Sequence, residues 1–287
     1  MSKLNLKQLC ANITLLCCSL GIINSAAAYE RIVSTTGNAS QIIAQLGQAD
    51  KLVAVDTTSN KPKDIMQQKP KIGYRRALSA ESILSMNPDL IILAPDAGPP
   101  AVIKQLEASN VKTLTIKDKK SLAGVIDDIN LIAKELNASQ QAKEMTHKIR
   151  RDEGALRKII NSYQHQPKMA FLMRESMAFG ADTAGDGMID IVGGQNIFAK
   201  QFKSVKPISL ELLSVSNADM LIFAILRKTD ELPAKLTPVD KPLLQNSKAG
   251  KNHCIFTIDI SDALGFGPDL TEAAKEIALA AKQCVAH

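Results

Sequence analysis

Aromatic and histidine residues are scarce in this chain of 287 residues, which has no Trp, three Tyr, seven Phe and four His. A site for a bare zinc or manganese ion needs a cluster of His, Asp and Glu side chains, so the few histidines argue against such a site. The formal net charge is +6, or +4 without residues 1–28, which hold two lysines and no acid, and so mild an excess gives no strong case for a nucleic-acid partner.

The short motifs of common enzyme active sites are also absent. The sequence contains no G-x-S-x-G, no G-x-x-x-x-G-K-[ST], no H-E-x-x-H and no G-x-G-x-x-G. Gly193 and Gly194, like Gly265 and Gly267, are typical of helix ends and turns. We therefore expect a protein without enzymatic activity.

The N-terminus has the order of regions found in a secretory signal peptide. Two lysines precede an apolar run at 13–23, and small residues follow at Ala26 and Ala28. The apolar run is too short to span a membrane. We therefore expect residues 1–28 to be a cleaved signal peptide and the mature protein to be secreted and soluble.

Three of the five cysteines belong to that N-terminal segment. Cys17 follows Leu16 and Cys18 follows Cys17, so neither has the small preceding residue of a lipoprotein signal, and we expect no lipid anchor. Cys254 and Cys284 remain in the mature chain. In an oxidising compartment this even pair indicates a disulfide between a late strand and the C-terminal helix, and two separate buried thiols are the alternative.

The mature chain alternates between strand-like and helix-like segments. In 29–120, short apolar runs such as LVAV and LIIL alternate with segments such as NASQIIAQLG, a predicted helix capped by Asn38. This order predicts an α/β lobe with a mainly parallel sheet. Helical spacing through 121–166 predicts connecting helices, the second about 25 residues long. The α/β alternation returns in 167–287, so we predict two similar lobes joined by a long helix.

A sequence repeat supports two lobes of similar architecture. Leu78–Leu93, LSAESILSMNPDLIIL, aligns without a gap with Ile208–Phe223, ISLELLSVSNADMLIF. The copies share Ser, Glu, Asn, Asp and Ile at matching positions, and most other pairs are apolar in both. Each copy is predicted to form a Ser-capped helix, a short turn and a strand.

The segments RIVS, LGQADKLVAVDTTS, PKIGYRRALSAE, NPDLIIL and AGPP together resemble the periplasmic haem-binding proteins of bacterial haem ABC importers. Weaker marks follow in the C-terminal lobe: GADTAGDGMIDIVGGQN, KPIS and LGFGPD. The resemblance covers essentially the whole mature chain, and GYRRALSAE is its most specific segment. It implies a helical-backbone periplasmic binding protein for iron acquisition. Such a protein captures haem between its lobes and delivers it to an inner-membrane permease driven by a cytoplasmic ATPase.

In that family the tyrosine of the GYRR segment is the axial ligand of haem iron, which implies Tyr74 as the ligand here. The chemistry agrees, because ferric iron is hard and a phenolate is a hard anionic oxygen ligand. Arg75 and Arg76 would favour the phenolate and can pair with the haem propionates, which suit the planar guanidinium. The loop after the strand LIILA should also border the cleft, which adds Gly98 and Pro99.

The C-terminal lobe has no histidine where some relatives hold a second ligand or a second haem. That region reads FLMRESMAFG and contains Met173, Arg174 and Met177. We therefore predict one five-coordinate haem. Arg174 or Arg227 is the candidate cation from this lobe, and Met177 is a less favoured sixth ligand because a thioether is soft.

Glu81 and Glu211 occupy matching positions in the first turns of the two repeated helices. Favourable interaction with the helix dipole would be a sufficient reason for both. In this fold, however, acidic residues at these positions dock onto arginines of the permease, so the resemblance implies one docking glutamate per lobe. We expect the protein to be a monomer.

A ferric siderophore or cobalamin is the alternative cargo, because binders of both share the fold. A siderophore site would favour several aromatic and basic side chains, and this chain has few aromatics. Haem therefore remains the predicted cargo.

Overall fold

The computed structural model describes residues 29–117, 119–173, 177–225 and 242–286. They form two α/β lobes, each with one mainly parallel sheet, joined by a pair of helices. This arrangement confirms the predicted fold class. Within these ranges, no helix is long and apolar enough to cross a membrane.

The N-terminal lobe is built on a four-stranded parallel sheet. Its strands are β1 (Ile32–Ser34), β2 (Leu52–Val55), β3 (Leu90–Leu93) and β4 (Lys112–Thr115). Their order in the sheet is β2-β1-β3-β4, with every neighbouring pair parallel. All four residues of β3 are buried, as expected for an apolar run in a sheet covered on both faces. The loops at the carboxyl ends of these strands therefore share one edge of the lobe.

The helices of this lobe are α1 (Gly37–Gln45), α2 (Lys63–Met66), α3 (Ala80–Leu84) and α4 (Pro100–Ala108), with a 3-10 turn at Ala49–Lys51. The predicted cap of α1 at Asn38 is wrong. Thr36 is the N-cap residue, with extended backbone, and Asn38 lies inside the first turn. The reason is that the chain already turns into the helix at Gly37, whose N–H donates to the Thr58 hydroxyl at 3.1 Å.

Two helices connect the lobes, α5 (Leu122–Glu135) and α6 (Ser139–Ile160). The second has 22 residues and is roughly 33 Å long at 1.5 Å per residue. Its buried residues are Ala142, Ile149 and Leu156, which repeat every seven residues and form one narrow stripe. Along this stripe, extended by the partly buried Met145, Ile159 and Ile160, α6 packs against the core.

The C-terminal lobe contains a larger, mixed sheet. Its strands are β5 (Lys168–Met173), β6 (Met177–Phe179), β7 (Gln195–Asn196), β8 (Val205–Pro207), β9 (Met220–Ile225) and β10 (Ile255–Asp259). Their order is β10-β9-β5-β6-β8, and β7 pairs with β5. The first three strands in this order are mutually parallel, whereas β6 is antiparallel to both of its neighbours. The parallel strands correspond to those predicted, and the antiparallel edge was not predicted.

The helices of the C-terminal lobe are α7 (Ala184–Ile191), α8 (Leu210–Ser214), α9 (Pro242–Gln245), α10 (Lys248–Lys251), α11 (Ile260–Leu264) and α12 (Leu270–Cys284). Cys254 lies just before β10, and Cys284 is the last residue of α12. The two are joined by a disulfide with a Cα–Cα distance of 5.7 Å. Of the two alternatives that the sequence left open, the structure has the disulfide.

The repeated segments have the same local structure in both lobes. The side chains of Ser79 and Ser209 cap α3 and α8 by accepting hydrogen bonds from backbone N–H groups at 3.3 and 3.2 Å. Asp89 and Asp219, before β3 and β9, each accept hydrogen bonds from the backbone N–H at the start of the neighbouring strand. The repeat is therefore structural as well as sequential.

Candidate ligand-binding cleft

A cleft of about 1000 Å³ lies between the two lobes. Its N-terminal side is formed by loops at the carboxyl ends of parallel strands, the edge at which open α/β sheets usually bind ligands. Polar side chains there are Thr36, Asn38, Gln41, Thr57, Thr58 and Asn60. The opposite side is mixed: its apolar side chains are Met173, Phe179, Val205, Ile260 and Leu264, and its polar ones are Asp182, Thr183, Ser204 and Ser261. The cleft can thus accept a ligand that is partly apolar and partly polar.

Tyr74 lies in the lining of this cleft, on a loop held next to the end of β2. The Thr57 N–H donates to the Gly73 carbonyl at 3.0 Å, and the Ala77 N–H donates to the Tyr74 carbonyl at 2.7 Å. Gly73 has φ of +93°, in the region where a side chain would be strained. The Tyr74 side chain remains 43% exposed, which is high for a large aromatic residue. Its phenol is therefore accessible to a ligand.

Arg75 and Arg76 both pair with Asp96, which follows β3. The Arg75 Nε lies 2.8 Å from Asp96 Oδ1. The Arg76 Nε and Nη2 lie 2.8 and 2.6 Å from Asp96 Oδ2. The Arg75 guanidinium carbon is also 6.0 Å from the centroid of the Tyr74 ring, at the outer limit of a cation–π contact. One carboxylate therefore holds both arginines beside the tyrosine.

This cluster carries two positive charges and one negative charge at neutral pH. Partial burial alone would raise the pKa of Asp96, but the hydrogen bond from Arg76 and the charge of Arg75 outweigh it, so this pKa lies below its usual value. The same hydrogen bond raises the pKa of Arg76. The net charge of +1 makes this corner of the cleft suitable for an anionic group.

Gly98 and Pro99 are not part of the cleft lining, although the nearby residue Asp96 is. The Gly98 N–H donates to the Arg75 carbonyl at 2.9 Å, and the Leu78 N–H donates to the Gly98 carbonyl at 2.8 Å. These two bonds join the loop of Tyr74 to the loop after β3. Gly98 thus supports the loop of Tyr74 through its backbone.

A buried polar network lies under the N-terminal side of the cleft. Asp56 is fully buried and accepts hydrogen bonds from the hydroxyls of Thr58 and Ser59, at 2.6 and 2.7 Å. The Asn38 side-chain oxygen accepts from the Thr36 hydroxyl at 2.7 Å, and within the described ranges its buried Nδ2 has no partner. The network fixes the polar loops that face the ligand space.

The predicted residues of the C-terminal lobe are only partly brought to the cleft. Met173, at the end of β5, lines it. Met177, at the start of β6, is half-buried, pairs with Met173 across the antiparallel ladder and is not part of the lining. Arg174 and Arg227 lie outside the described residues.

Direct contacts between the lobes close one side of the cleft. Lys61 of the N-terminal lobe forms an ion pair with Asp262 on α11. Gln41 and Gln45 on α1 donate to the two carboxylate oxygens of Asp269, at 2.5 and 2.9 Å. These polar contacts, together with α5 and α6, hold the two lobes at a defined spacing.

Two further observations concern the other predicted sites. Across the ranges that the structure describes, no three His, Cys, Asp or Glu residues are grouped so that they could hold a metal ion. Glu81 and Glu211 are both exposed, at matching positions in α3 and α8. The pattern of exposure over 81–87 is the same as over 211–217.

A sequence model of the periplasmic binding protein family matches residues 32–261. The chain belongs to this family. It is therefore a periplasmic substrate-binding protein of an ABC transporter, which implies a membrane permease and an ATPase as partners. The family is one of solute-binding proteins rather than an enzyme class, and it acts outside the cytoplasmic membrane.

Solved structures of haem-binding members are similar to this chain. The periplasmic heme-binding protein RhuT from Roseiflexus sp. RS-1, in its apo form, is 30% identical with a TM-score of 0.79, over 89% of this chain and 99% of its own. The periplasmic heme-binding protein BhuT, in complex with two hemes, is 26% identical with a TM-score of 0.79, over 90% of this chain and 100% of its own.

Curated relatives in the family have other descriptions. The substrate-binding lipoprotein YvrC of an uncharacterised ABC transporter in Bacillus subtilis is 24% identical over 87% of this chain and 79% of its own length. A vitamin B12-binding protein of Vibrio vulnificus is 27% identical over 65% of this chain and 68% of its own length. The chain is thus similar to binders of more than one cargo.

Sequence reasoning did not identify the partner of the two arginines. Asp96 is separated from Arg76 by 20 residues, and the pairing depends on how two loops meet. One signal was present: Asp96 immediately follows a predicted buried strand, in a loop that was expected to border the cleft. The negative charge of Asp96 and its place in a loop at the cleft together indicate an ion pair with the arginines of the GYRR segment.

Proposed function

We propose that this periplasmic binding protein captures haem in the cleft, with Tyr74 as the axial ligand of the iron, and delivers it to the permease of its ABC transporter. The observation that carries this proposal is the exposed phenol of Tyr74 beside two arginines in the cleft lining. A ferric porphyrin with two propionates needs a hard anionic ligand for its iron and cations for its carboxylates. The loop of Tyr74 offers both.

The shape and polarity of the cleft support a porphyrin as cargo. Its volume of about 1000 Å³ is at the upper end of ordinary small-molecule sites. The apolar side chains of Met173, Phe179 and Leu264 face the polar loops across it. One face of a porphyrin can pack against these apolar side chains while Tyr74 approaches the iron from the other. We propose one haem per protein, with no sixth ligand from the protein.

Cobalamin and ferric siderophores are the alternative cargoes. The similarity to a vitamin B12-binding protein favours cobalamin as the second candidate. The metal of a cobalamin is cobalt, so this cargo offers no ferric iron for a phenolate to bind. It therefore gives no role to a phenol flanked by arginines. The same two arginines and the tyrosine give haem the better chemical match.

We propose that the mature protein is a monomer. We also propose that it is exported to the periplasm, where its signal peptide is cleaved, and that it carries no lipid anchor. The basis for this is the sequence of residues 1–28, which lie outside the described residues, and the unsuitable residues before Cys17 and Cys18. Glu81 and Glu211 are proposed as the two permease-docking residues, because they are exposed and related by the repeat.

The cargo is tested by titrating the purified mature protein separately with ferric haem, cyanocobalamin and a ferric siderophore. We expect saturable binding of one haem per protein, seen in the absorption spectrum, and no comparable binding of the other two. Tighter binding of cyanocobalamin or of the siderophore than of haem would contradict the proposal.

A further inference from the structure

The carboxylate of Asp96 occupies the donors that an anionic cargo would use. Both of its oxygens are taken, Oδ1 by Arg75 and Oδ2 by Arg76, at distances of 2.6 to 2.8 Å. The Arg76 contact is a charge-assisted hydrogen bond, the strong class of such bonds, and the Arg75 contact is an ion pair. Before any cargo binds, the two arginines are therefore already neutralised in part by a residue of the protein itself.

The two ion pairs differ in their exposure to solvent. The Arg75 side chain is 24% exposed and that of Arg76 is 61% exposed. Breaking a partly buried pair leaves a charge without its partner in a poorly solvated place, whereas an exposed pair contributes little to stability. An incoming carboxylate can therefore take Arg76 at small cost, while Arg75 stays with Asp96.

The backbone supports the same division between the arginines. The Arg75 carbonyl accepts the Gly98 N–H at 2.9 Å, so Arg75 is bonded to the loop of Asp96 through its backbone as well as its side chain. The bonds of Arg76 to that loop are those of its guanidinium. Asp96 engages the Nε and Nη2 donors of Arg76, which form one edge that a carboxylate of the cargo could use, so the two carboxylates compete for it.

We propose that Asp96 is a specificity-determining residue of the cleft, which anchors Arg75 beside Tyr74 and competes with the carboxylates of the cargo for Arg76. This inference rests on the proposed function and adds a control of affinity to it. With Asp96 in place, a small anion with one negative charge gains little binding free energy in the empty cleft, because the arginines already have a partner. A cargo with two carboxylates and an apolar body can outcompete Asp96, and it remains releasable because that competition weakens its binding.

The test compares wild type with Asp96→Asn, which keeps the shape and a hydrogen-bond acceptor but removes the charge. The probes are metal-free protoporphyrin IX, which has two carboxylates, and its neutral dimethyl ester, both followed by porphyrin fluorescence. Neither probe contains iron, so ligation by Tyr74 does not contribute. We expect Asp96→Asn to bind the diacid about tenfold more tightly at low salt, with the ester changed less than about twofold. The gain should shrink as salt is added.

Arg76→Gln, alone and combined with Asp96→Asn, shows whether the effect passes through Arg76. We expect the tenfold gain to be largely lost in the Arg76→Gln background. If the full gain in affinity persisted in the Arg76→Gln background, the proposed competition for Arg76 would be wrong. Asp96 would then weaken binding of the diacid only by repulsion between negative charges. Equal changes for the diacid and the ester, or weaker binding of the diacid to Asp96→Asn, would also overturn it.

A second measurement needs no substitution and so does not depend on how the variants fold. In wild-type protein labelled with ¹⁵N-arginine, addition of the metal-free diacid should shift the Nε–H signal of Arg76 and leave that of Arg75 nearly in place. Movement of neither signal on saturation would refute the inference. A wild type that binds haem but neither metal-free probe overturns this inference and leaves the proposed function standing, whereas failure to bind haem overturns both.

Discussion

At the scale of single residues, the site depends on a loop that presents one tyrosine and two arginines. The GYRR segment could be recognised from sequence because it resembles the specific motif of the haem-binding family and contains one of only three tyrosines in the chain. Its glycine also has a structural role, since Gly73 adopts positive φ just before Tyr74. What the segment alone could not predict is that its arginines are engaged before a ligand arrives.

Asp96 shows why that part could not be predicted. The pairing needs β3 to deliver Asp96 next to a loop that begins beside β2, and these strands are separated in the sheet by β1. Spacing along the chain carries no information about such a meeting of loops. The interlobe contacts of Asp262 and Asp269 were hidden for the same reason, because their partners lie about 200 residues away in the N-terminal lobe.

At the scale of elements, the parallel strands and the long helices were predicted well. Continuous apolar runs such as LIIL and the helical spacing in 121–166 are strong signals, because buried strands and amphipathic helices need them. The strands β6, β7 and β8 have two or three residues each, which is too few for an alternation to be recognised. The antiparallel edge depends on the pairing of β6 with β5 and of β8 with β6, rather than on local sequence.

Asp219 is expected to be a strong link between elements of the C-terminal lobe. It is 3% exposed and accepts a hydrogen bond from the Lys168 N–H at the start of β5, at 2.7 Å. It also pairs with Lys248 of α10 at 2.7 Å and lies 3.5 Å from the His165 Nε2. Burial alone would raise the pKa of Asp219, but Lys248 and the Lys168 N–H lower it on balance.

We predict that Asp219→Asn lowers the free energy of unfolding by about 2–3 kcal/mol at pH 7, because a buried charge-assisted contact is lost. A carboxyl whose pKa is lowered on folding stabilises the protein above its unfolded-state pKa of about 3.9, and this stabilisation is lost as the pH falls through the folded-state pKa. The difference between variant and wild type should therefore disappear under acidic conditions. Urea unfolding at several pH values measures it.

Glu153→Gln is the control for this measurement. Glu153 forms an ion pair with Arg157 at 2.7 Å, and the side chains of the arginine and the glutamate are 72% and 29% exposed. Such a solvent-accessible pair within one helix should cost about 0.5 kcal/mol when broken, far less than the loss at the buried Asp219. Equal losses in the two variants, or an Asp219 effect that does not depend on pH, would contradict the assigned role.

At the scale of the whole molecule, the internal repeat places equivalent surfaces on both lobes. Glu81 and Glu211 are exposed on the first turns of α3 and α8, and each helix has a Ser cap. A partner that contacts both lobes at once could recognise this pair of negative charges. The long helix α6 and the contacts of Asp262 and Asp269 would limit how far the lobes separate during that contact.

We predict that Glu81→Lys combined with Glu211→Lys lowers haem uptake through the reconstituted transporter about tenfold or more, while haem affinity of the purified protein stays unchanged. Each single substitution should have an intermediate effect, because each removes one of two contacts. Uptake is measured in proteoliposomes that contain the permease and ATPase.

The matched control for docking is Glu144→Lys with Glu276→Lys. Both glutamates are exposed, on α6 and α12, so the same change of charge is made outside the repeated pair. This control should transport haem at the wild-type rate. An equal loss of uptake in both double variants would show that net charge, rather than the repeated pair, controls docking.

The most direct test of the account is the absorption spectrum of ferric haem titrated into wild type and Tyr74→Phe, with Tyr29→Phe as the control. Tyr29 donates to Glu135 at 2.7 Å and is not part of the cleft lining, so its substitution should leave the haem spectrum unchanged. We predict that wild type shows the charge-transfer band of tyrosinate-bound high-spin iron. Tyr74→Phe should lose this band and more than about a hundredfold in affinity, since loss of a supporting hydrogen bond alone often costs ten- to a hundredfold. An unchanged spectrum and affinity in Tyr74→Phe would contradict the account and move the search for the iron ligand to the region of Met173 and Met177.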